Sequence, residues 1–450
     1  MLSDPIVALA TPPGRSAVAV IRLSGTGVRD VAARCLRPFP GAPRTMVRTR
    51  LVHGTTGDLI DEPLAAWYAA PRSYTGEDMV EVFTHGGLLV PADGVAAFIA
   101  VGARPAAPGE FTRRALLNGK LDLLQAEATA DLIDAGSPIQ RQRALQQLDR
   151  GLSLRLEALR GEILALEALL AYDIDFPEED EGPVSPERVA QAWRAARDRL
   201  AQLLKTAPEG ERLHEGALLV IAGRPNAGKS SLFNALLGRE RAIVTEIPGT
   251  TRDAIEATAV IEGFPFRLVD TAGLRSSDDR VEKLGIEVSR KYLERADLIL
   301  FCESGDEGRG RGDGSARDEF LAQCRAPVVV VRTKADLLPV PRPPSTVPVV
   351  SAITSEGLGI LRRRLAEVAF GQLLSLGDVE PVVTRARHRV ALERALSEVE
   401  AFQTARAQGV EAVAAATHLR AGVGALDELI GAVTPDDVLE RVFATFCVGK

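Results

Sequence analysis

The residues best placed to do chemistry lie in Gly223-Arg-Pro-Asn-Ala-Gly-Lys-Ser230. The apolar run Leu218 to Ala222 before it predicts a buried strand, and the apolar spacing of Ser231 to Leu237 after it predicts a helix. A strand, a glycine loop and a helix in that order form the setting of a phosphate-binding loop. Gly223 and Gly228 allow the tight turn that aims backbone N–H groups at phosphate oxygens. Lys229 supplies positive charge to the β- and γ-phosphates, and Ser230 a hydroxyl for Mg²⁺. Asn226, Ala227 and Ser231 complete the stretch that would touch the nucleotide, and the helix N-terminus adds partial positive charge. The same glycine spacing can occur in an incidental turn, so the motifs that follow decide.

Asp270-Thr-Ala-Gly273 follows the strand-like Phe266 to Val269. Its aspartate can reach Mg²⁺ through water, and Gly273 can offer an N–H to the γ-phosphate. Between the two motifs, Thr251 in Gly249-Thr-Thr-Arg-Asp253 is placed to ligate Mg²⁺ when a triphosphate is bound. Thr333-Lys334-Ala-Asp336 follows the strand-like Val328 to Val331, and its aspartate can pair with the N1–H and amine of guanine, which adenine cannot match. Ser351-Ala352 would close over the base, a pair without meaning on its own. The order and spacing of the set are those of a GTPase. Leu274 stands where a water-orienting glutamine is found in Ras-like proteins. Leucine cannot orient water, and Asp278, Asp279, Glu282 and Glu287 remain as candidates.

The elements that must position these groups fall into three textures. Residues 1–118 mix short strands (Ala17 to Leu23, Leu64 to Tyr68, Met79 to Phe83) with helical stretches, an α/β pattern. Gly86-Gly87 is expected to break the third strand before a helix. From about Leu121 glycine and proline become sparse, and Leu152, Leu156, Leu159, Ile163, Leu166 and Leu170 form one apolar helical stripe, most simply a packing face. The acidic stretch Asp173 to Glu181 reads equally as a solvated loop. A further helix is expected over about 186–206. Residues 215–372 alternate strand and helix as a doubly wound domain does, with Gly308 to Gly314 and Pro339 to Pro348 expected as connections. Helical texture returns after about 378. One helical domain (119–214 and 373–450) interrupted by an inserted nucleotide domain (215–372) accounts for this order.

Composition narrows the class. The chain has 450 residues, 46% hydrophobic and only 4% aromatic, so two or more cores built mainly of Leu, Val and Ala are expected. A net charge of −7 argues against an extended basic nucleic-acid coat. Cys35, Cys302, Cys324 and Cys447 are far apart and lack metal-type spacing, as expected of reduced thiols in a cytoplasmic protein. No run suggests a signal peptide or a membrane span, so stable membrane insertion is not expected.

The chain resembles the MnmE (TrmE) family of tRNA-modification GTPases over essentially its full length. The resemblance is carried by Thr11-Pro-Pro-Gly14, Ile21-Arg-Leu-Ser-Gly25, Tyr74-Thr-Gly-Glu-Asp78, Pro108-Gly-Glu-Phe111, Leu117-Asn-Gly-Lys-Leu-Asp122, Asp175-Phe-Pro-Glu-Glu-Asp180, the GTPase motifs and the terminal Cys447-Val-Gly-Lys450. It implies an α/β plus all-α protein: an N-terminal α/β folate-binding and dimerising domain, a discontinuous helical domain and an inserted Ras-like P-loop GTPase domain. It also implies a homodimer that joins the FAD-dependent partner MnmG as a heterotetramer. Together they would add an aminomethyl or carboxymethylaminomethyl group at C5 of the wobble uridine of certain tRNAs. The carbon would come from a 5,10-methylene- or 5-formyl-tetrahydrofolate, with potassium-activated hydrolysis of GTP.

Carried onto this chain, the resemblance gives a potassium site of Asn226 and the backbone carbonyls of Thr245, Ile247 and Thr250, with Thr245 and Thr250 also among the nucleotide contacts. A cation there would supply charge that other GTPases take from an arginine finger. The resemblance assigns water orientation to Glu282, folate binding to Arg22, Glu81, Lys120 and Lys450, and a catalytic role alongside Lys229 to Cys447. Taken alone, Arg22, Glu81 and Lys120 would read as surface charges. Thr333 departs from the family's usual asparagine, which would weaken one polar support of the base pocket, and Thr84-His85-Gly86-Gly87 departs from a common Gly-His-Gly-Gly.

Two other readings compete. A regulatory or ribosome-assembly GTPase that binds RNA without modifying it would share the GTPase motifs, but would be expected to carry an RNA-binding appendage such as a KH domain, of which the helical C-terminal texture gives no sign. A folate-dependent methyltransferase with GTP as regulator would modify uridine without GTP hydrolysis.

Overall fold

The computed structural model describes residues 4–175, 185–238, 256–270, 291–305, 320, 322, 324–339, 347–376, 381–432 and 436–449. In chain order the first elements are β1 (Ile6–Leu9), β2 (Gly14–Ser24), α1 (Val28–Cys35), β3 (Leu36–Arg37), β4 (Val47–Arg48), β5 (Arg50–Val52), β6 (Leu59–Asp61), β7 (Leu64–Tyr68), β8 (Met79–Gly87), α2 (Leu89–Ala100), β9 (Arg104–Pro105), α3 (Glu110–Leu117) and α4 (Leu123–Asp134). They are followed by α5 (Pro138–Leu148), α6 (Gly151–Asp175), α7 (Pro186–Glu215), β10 (Ala217–Gly223), α8 (Lys229–Leu237), β11 (Glu256–Ile261), β12 (Phe264–Asp270), β13 (Leu298–Ser304), β14 (Val328–Thr333), α9 (Leu358–Leu376), α10 (Ala386–Ala407), α11 (Ala412–Ile430) and α12 (Asp436–Ala444). The chain divides into two compact units, Met1–Ala130 with Asp427–Lys450, and Asp131–Leu426.

In the first unit a six-stranded sheet runs β4-β7-β8-β2-β1-β9. The long antiparallel pair β2/β8 sets Arg22 opposite Glu81 and Leu23 opposite Val80. Side chains alternate along a strand. Ile21, Leu23, Val80 and Val82 therefore enter the core with residues of α1 and α2, while Arg22 and Glu81 take the other face. The expected break at Gly86-Gly87 is present: β8 ends at Gly87 and α2 begins at Leu89. Gly87 pairs with Gly14, and a Cβ on Gly86 would meet the Ser16 carbonyl oxygen at 2.2 Å. Glycine at 86 also permits the close approach of the neighbouring strand.

The C-terminal segment belongs to this unit. Leu439, Phe443 and Phe446 bury against Leu123 and Ala126. Full burial of such side chains is worth roughly 1.5–3 kcal/mol each, enough to hold a chain end that would otherwise fray.

Among the described residues of the second unit, a five-stranded sheet runs β11-β12-β10-β13-β14, parallel except for strand β11. Strand β10 is central, and its apolar run is buried throughout, as the interior strand of a doubly wound sheet must be. The helical part uses the predicted stripe, with Leu152, Leu156, Leu159, Ile163, Leu166 and Leu170 of α6 all buried. Ser185 caps α7 by accepting the Arg188 N–H, with Pro186 in the first turn. Helix α7 extends to Glu215 instead of stopping near 206, through Pro208 and Gly210. Thr206, Ala207, Gly210 and Leu213 continue its buried face, and a Cβ at Gly210 would lie 2.0 Å from the Val383 carbonyl oxygen. Packing overrides the local breakers.

Helix α9 kinks at Phe370 (φ −137°, ψ 29°). The kink exposes N–H groups that the buried Glu209 carboxylate accepts, from Gln372 at 3.0 Å and Leu373 at 2.8 Å. Phe370 stacks on Phe264 with ring centroids 4.4 Å apart, so one kink joins α7, α9 and β12.

Candidate functional site

Strand β10 delivers the phosphate loop. Gly223 pairs with Cys302 across the sheet. Its φ of 137°, and the 2.3 Å a Cβ would leave to the Cys302 carbonyl oxygen, admit only glycine. The chain reverses through Asn226 (φ 61°) and Gly228 (φ 77°). Lys229 opens α8, and its buried ammonium donates to the carbonyls of Gly223 at 3.0 Å and Arg224 at 2.6 Å. No acidic residue lies in the first turn of α8, so nothing there offsets the positive end of its dipole. Ser230 and Ser231 are exposed beside the loop, and Ala227 is buried in the core below it. Asn226 is exposed, and among the described residues its side-chain amide has no hydrogen-bond partner.

Asp270 ends β12 in register with Ile221 of β10. Its charge and that of Lys229 both reach the buried Cys302 thiol. Burial pushes that thiol up to about 12, with Lys229 pulling it down and Asp270 pushing it further up. Cys302 is thus a buried packing residue between the two charges.

The residues expected from the sequence to recognise the base sit at the C-terminal end of β14. Lys334 adopts a left-handed φ of 56°, and Asp336 follows in a short 3₁₀ turn. The buried Ser351 hydroxyl donates to Asp336 Oδ1 at 2.6 Å and accepts the N–H groups of Ile353 and Thr354. Ala352 begins that turn, and the Ala335 N–H bonds the Val350 carbonyl at 3.0 Å. The Thr333 hydroxyl lies 2.7 Å from the Ala227 carbonyl and 3.1 Å from that of Glu303. Threonine at this position therefore makes its own tie to the phosphate loop, which sequence reasoning had not given it.

Thr245, Ile247, Thr250, Thr251, Gly273, Glu282 and Lys450, with Leu274, Asp278, Asp279 and Glu287, lie outside the described residues, as does the stretch Gly308 to Gly314.

In the first unit, Arg22 and Glu81 come together. Arg22 Nε and Nη2 donate to Glu81 Oε1 at 3.0 and 2.8 Å, and the Tyr68 hydroxyl donates to Oε2 at 3.2 Å. Burial, followed by the charge of Glu81, raises the Tyr68 phenol above its ordinary range. Arg22 is flanked by the rings of Tyr74 and Phe111, at 5.6 and 5.8 Å from their centroids. Lys120 is not joined to this pair among the described residues; its exposed ammonium donates to the Pro71 carbonyl at 3.1 Å. Tyr68, Tyr74 and Phe111 were given no role from sequence. A tyrosine ending an otherwise apolar strand was the available signal.

Behind this face Arg114 is buried among carboxylates, with Asp4 at 3.1 Å, Glu77 at 3.1 Å and Glu110 at 2.9 Å. Arg104 binds Asp4 and Glu110 from outside. Its hydrogen bond is the main cause that holds the Asp4 carboxyl down at about 2. Burial acts to raise Glu110, but hydrogen bonds from Arg104, the Ala107 N–H and Arg114 outweigh it and hold it below the usual range.

Comparison with known proteins matches residues 5–120 to the GTP-binding protein TrmE N-terminus and residues 123–447 to the MnmE helical domain. The tRNA modification GTPase MnmE of Heliobacterium modesticaldum is 41% identical over 471 residues, covering all of both chains. The chain belongs to the MnmE family of tRNA modification GTPases. Its relatives of that name from Aquifex aeolicus and Thermus thermophilus are 40% and 42% identical, covering all of this chain and 100% and 99% of theirs. The nucleotide loop, the base loop and the Arg22–Glu81 face are thus parts of a family member. Among the described residues no helix is long and apolar enough to cross a membrane.

Proposed function

We propose that this chain is a potassium-activated GTPase whose turnover accompanies installation of an aminomethyl-type group at C5 of a tRNA wobble uridine. In this reading it acts as a homodimer in the cytoplasm with the FAD-dependent MnmG, and draws the carbon from a tetrahydrofolate. The observation that carries the nucleotide part is the joined frame of Lys229, Thr333, Asp336 and Ser351. Phosphates and purine are held by one tied set of loops, so recognition of guanine is transmitted to the reacting end.

Within that frame Lys229 neutralises phosphate charge, and the N–H groups of the Asn226–Ser230 turn cradle the oxygens. Ser230 offers an exposed hydroxyl, a hard oxygen donor that suits Mg²⁺; Thr251 would be the second such donor and Asp270 would act through water. When bound, Mg²⁺ screens the phosphate charge. Asn226, exposed at the loop, offers an amide oxygen that suits potassium, with the Thr245, Ile247 and Thr250 carbonyls as its proposed fellow ligands. Glu282 would orient the attacking water. The Arg22, Glu81 and Tyr68 cluster with its aromatic walls suits a ligand having a flat ring and hydrogen-bond donors, and Lys120 and Lys450 would meet the carboxylates of folate. The domain division 1–118, 119–214, 215–372 and 373–450 belongs to the same proposal.

Mass spectrometry of tRNA nucleosides from cells with and without this protein tests the reading. Loss of the C5-modified wobble uridine without the protein is expected. Unchanged nucleosides would favour the RNA-binding GTPase.

A further inference from the structure

We propose that Arg22 is a positioning residue that seats the C-terminal tail and so fixes Cys447, rather than an arginine held open for a ligand carboxylate. Three of its five N–H groups are engaged inside the protein. Two go to Glu81, and Nη1 donates to the Gly449 carbonyl at 3.3 Å. Tyr68 holds the second oxygen of Glu81, so the guanidinium is fixed from behind while its third edge faces the tail. Tyr74 and Phe111 flank it, and Tyr74 is itself held through its hydroxyl to Thr112 at 2.8 Å.

The tail is shaped for this seat. Phe443 and Phe446 lie in a buried cluster. The Gly109 N–H meets the Cys447 carbonyl at 3.4 Å, and a Cβ on Gly109 would lie 2.9 Å from the Phe443 ring. Gly449 is buried with φ 97°, and a Cβ there would come within 2.7 Å of the Leu9 carbonyl oxygen. Backbone on both sides of Cys447 is therefore held, while the residue itself is exposed. Arg22 binds beyond the cysteine and Gly109 binds at it, so releasing Arg22 frees the segment that presents the thiol. That Cys447 has a chemical role rests on the reading above; the seating of the tail does not.

Hydrogen exchange with mass spectrometry on the full chain tests the seat, comparing wild type with Arg22→Gln and Arg22→Lys. A hydrogen bond from a charged donor is stronger than one between neutral groups. Exchange in peptides over residues 444–449 should therefore rise on the order of tenfold in Arg22→Gln, with β2 and β8 still protected. The rise should be smaller in Arg22→Lys, which keeps the charge but loses the fork. Tyr68→Phe, which removes only the hydroxyl behind Glu81, should loosen the same peptides more weakly. Peptide-resolved alkylation of Cys447 should change in the same order across the variants. Tail exchange unchanged in Arg22→Gln overturns the proposal, and so does equal loss of protection through β2 and β8, which would assign Arg22 to the sheet alone. Titration with 5-formyltetrahydrofolate separates the two claims. A wild type that does not bind it overturns the folate reading, while a loosened tail in Arg22→Gln still upholds the seat.

Discussion

The Thr333 hydroxyl lies 2.7 Å from the Ala227 carbonyl and joins the base loop to the phosphate loop across 106 positions of chain. Thr333→Val keeps the shape and removes the bond, leaving a buried carbonyl unpaired at a cost of about 1–3 kcal/mol. GTP affinity, measured by equilibrium titration, should fall roughly 5- to 100-fold. Thr333→Asn, the residue usual in the family, should restore most of it. Undiminished affinity in the valine variant would show that the two loops hold their places independently.

Asn226→Ala should remove most of the acceleration by potassium while leaving GTP binding largely intact. The amide oxygen is lost, but the Lys229 ammonium and the backbone cradle remain. If a cation at this point acts as an arginine finger does, stimulation on the order of 10³-fold is at stake. Steady-state hydrolysis in potassium and in sodium reads it directly. Wild-type rates that are equal in the two salts would dispose of the potassium site.

Glu209→Gln concerns stability. Both carboxylate oxygens accept N–H groups at the Phe370 kink, and a glutamine offers one acceptor and turns a donor toward the other N–H. The unit spanning residues 131–426 should lose about 2 kcal/mol. Calorimetry should show its transition moving down, with that of the first unit unmoved. An unshifted transition would mean that the kink is held by Phe370 stacking alone.

Acid should loosen the first unit through Asp4 and Glu110. Both carboxyls are depressed in the folded state, Asp4 to about 2 from 3.8. Their stabilisation is therefore present above the unfolded value and is lost as pH falls through the folded one. Asp4→Asn should melt earlier than wild type at pH 5–7, and the gap should close between about pH 3.8 and 2. Melting curves across that range decide. A gap that persists at pH 2 would attribute the effect of Asp4 to shape and not to charge.

Much of the nucleotide unit could be read from the chain, because its elements have strong local patterns. Strands β10, β12 and β14 and helix α8 fall within two residues of their expected positions, and the α6 leucines bury as their spacing predicts. The failures share one cause. Pro208 and Gly210 look like helix breakers, yet α7 runs through both, and the distant Val383 carbonyl accounts for the glycine. The Thr333 tie and the cradle of Tyr68, Tyr74 and Phe111 around Arg22 are likewise products of tertiary approach. The carbonyl that Arg22 takes was not legible.

The central claim is that GTP bound at this site drives the modification. Asp336→Asn tests it most directly, because it converts the proposed guanine acceptor into a group that pairs with xanthine. The variant would be combined with MnmG, tRNA, a tetrahydrofolate and potassium, and C5-modified uridine measured by mass spectrometry with either GTP or xanthosine triphosphate. The account predicts modification with xanthosine triphosphate and little with GTP, the reverse of wild type. Equal modification with both nucleotides, or with none added, would contradict it.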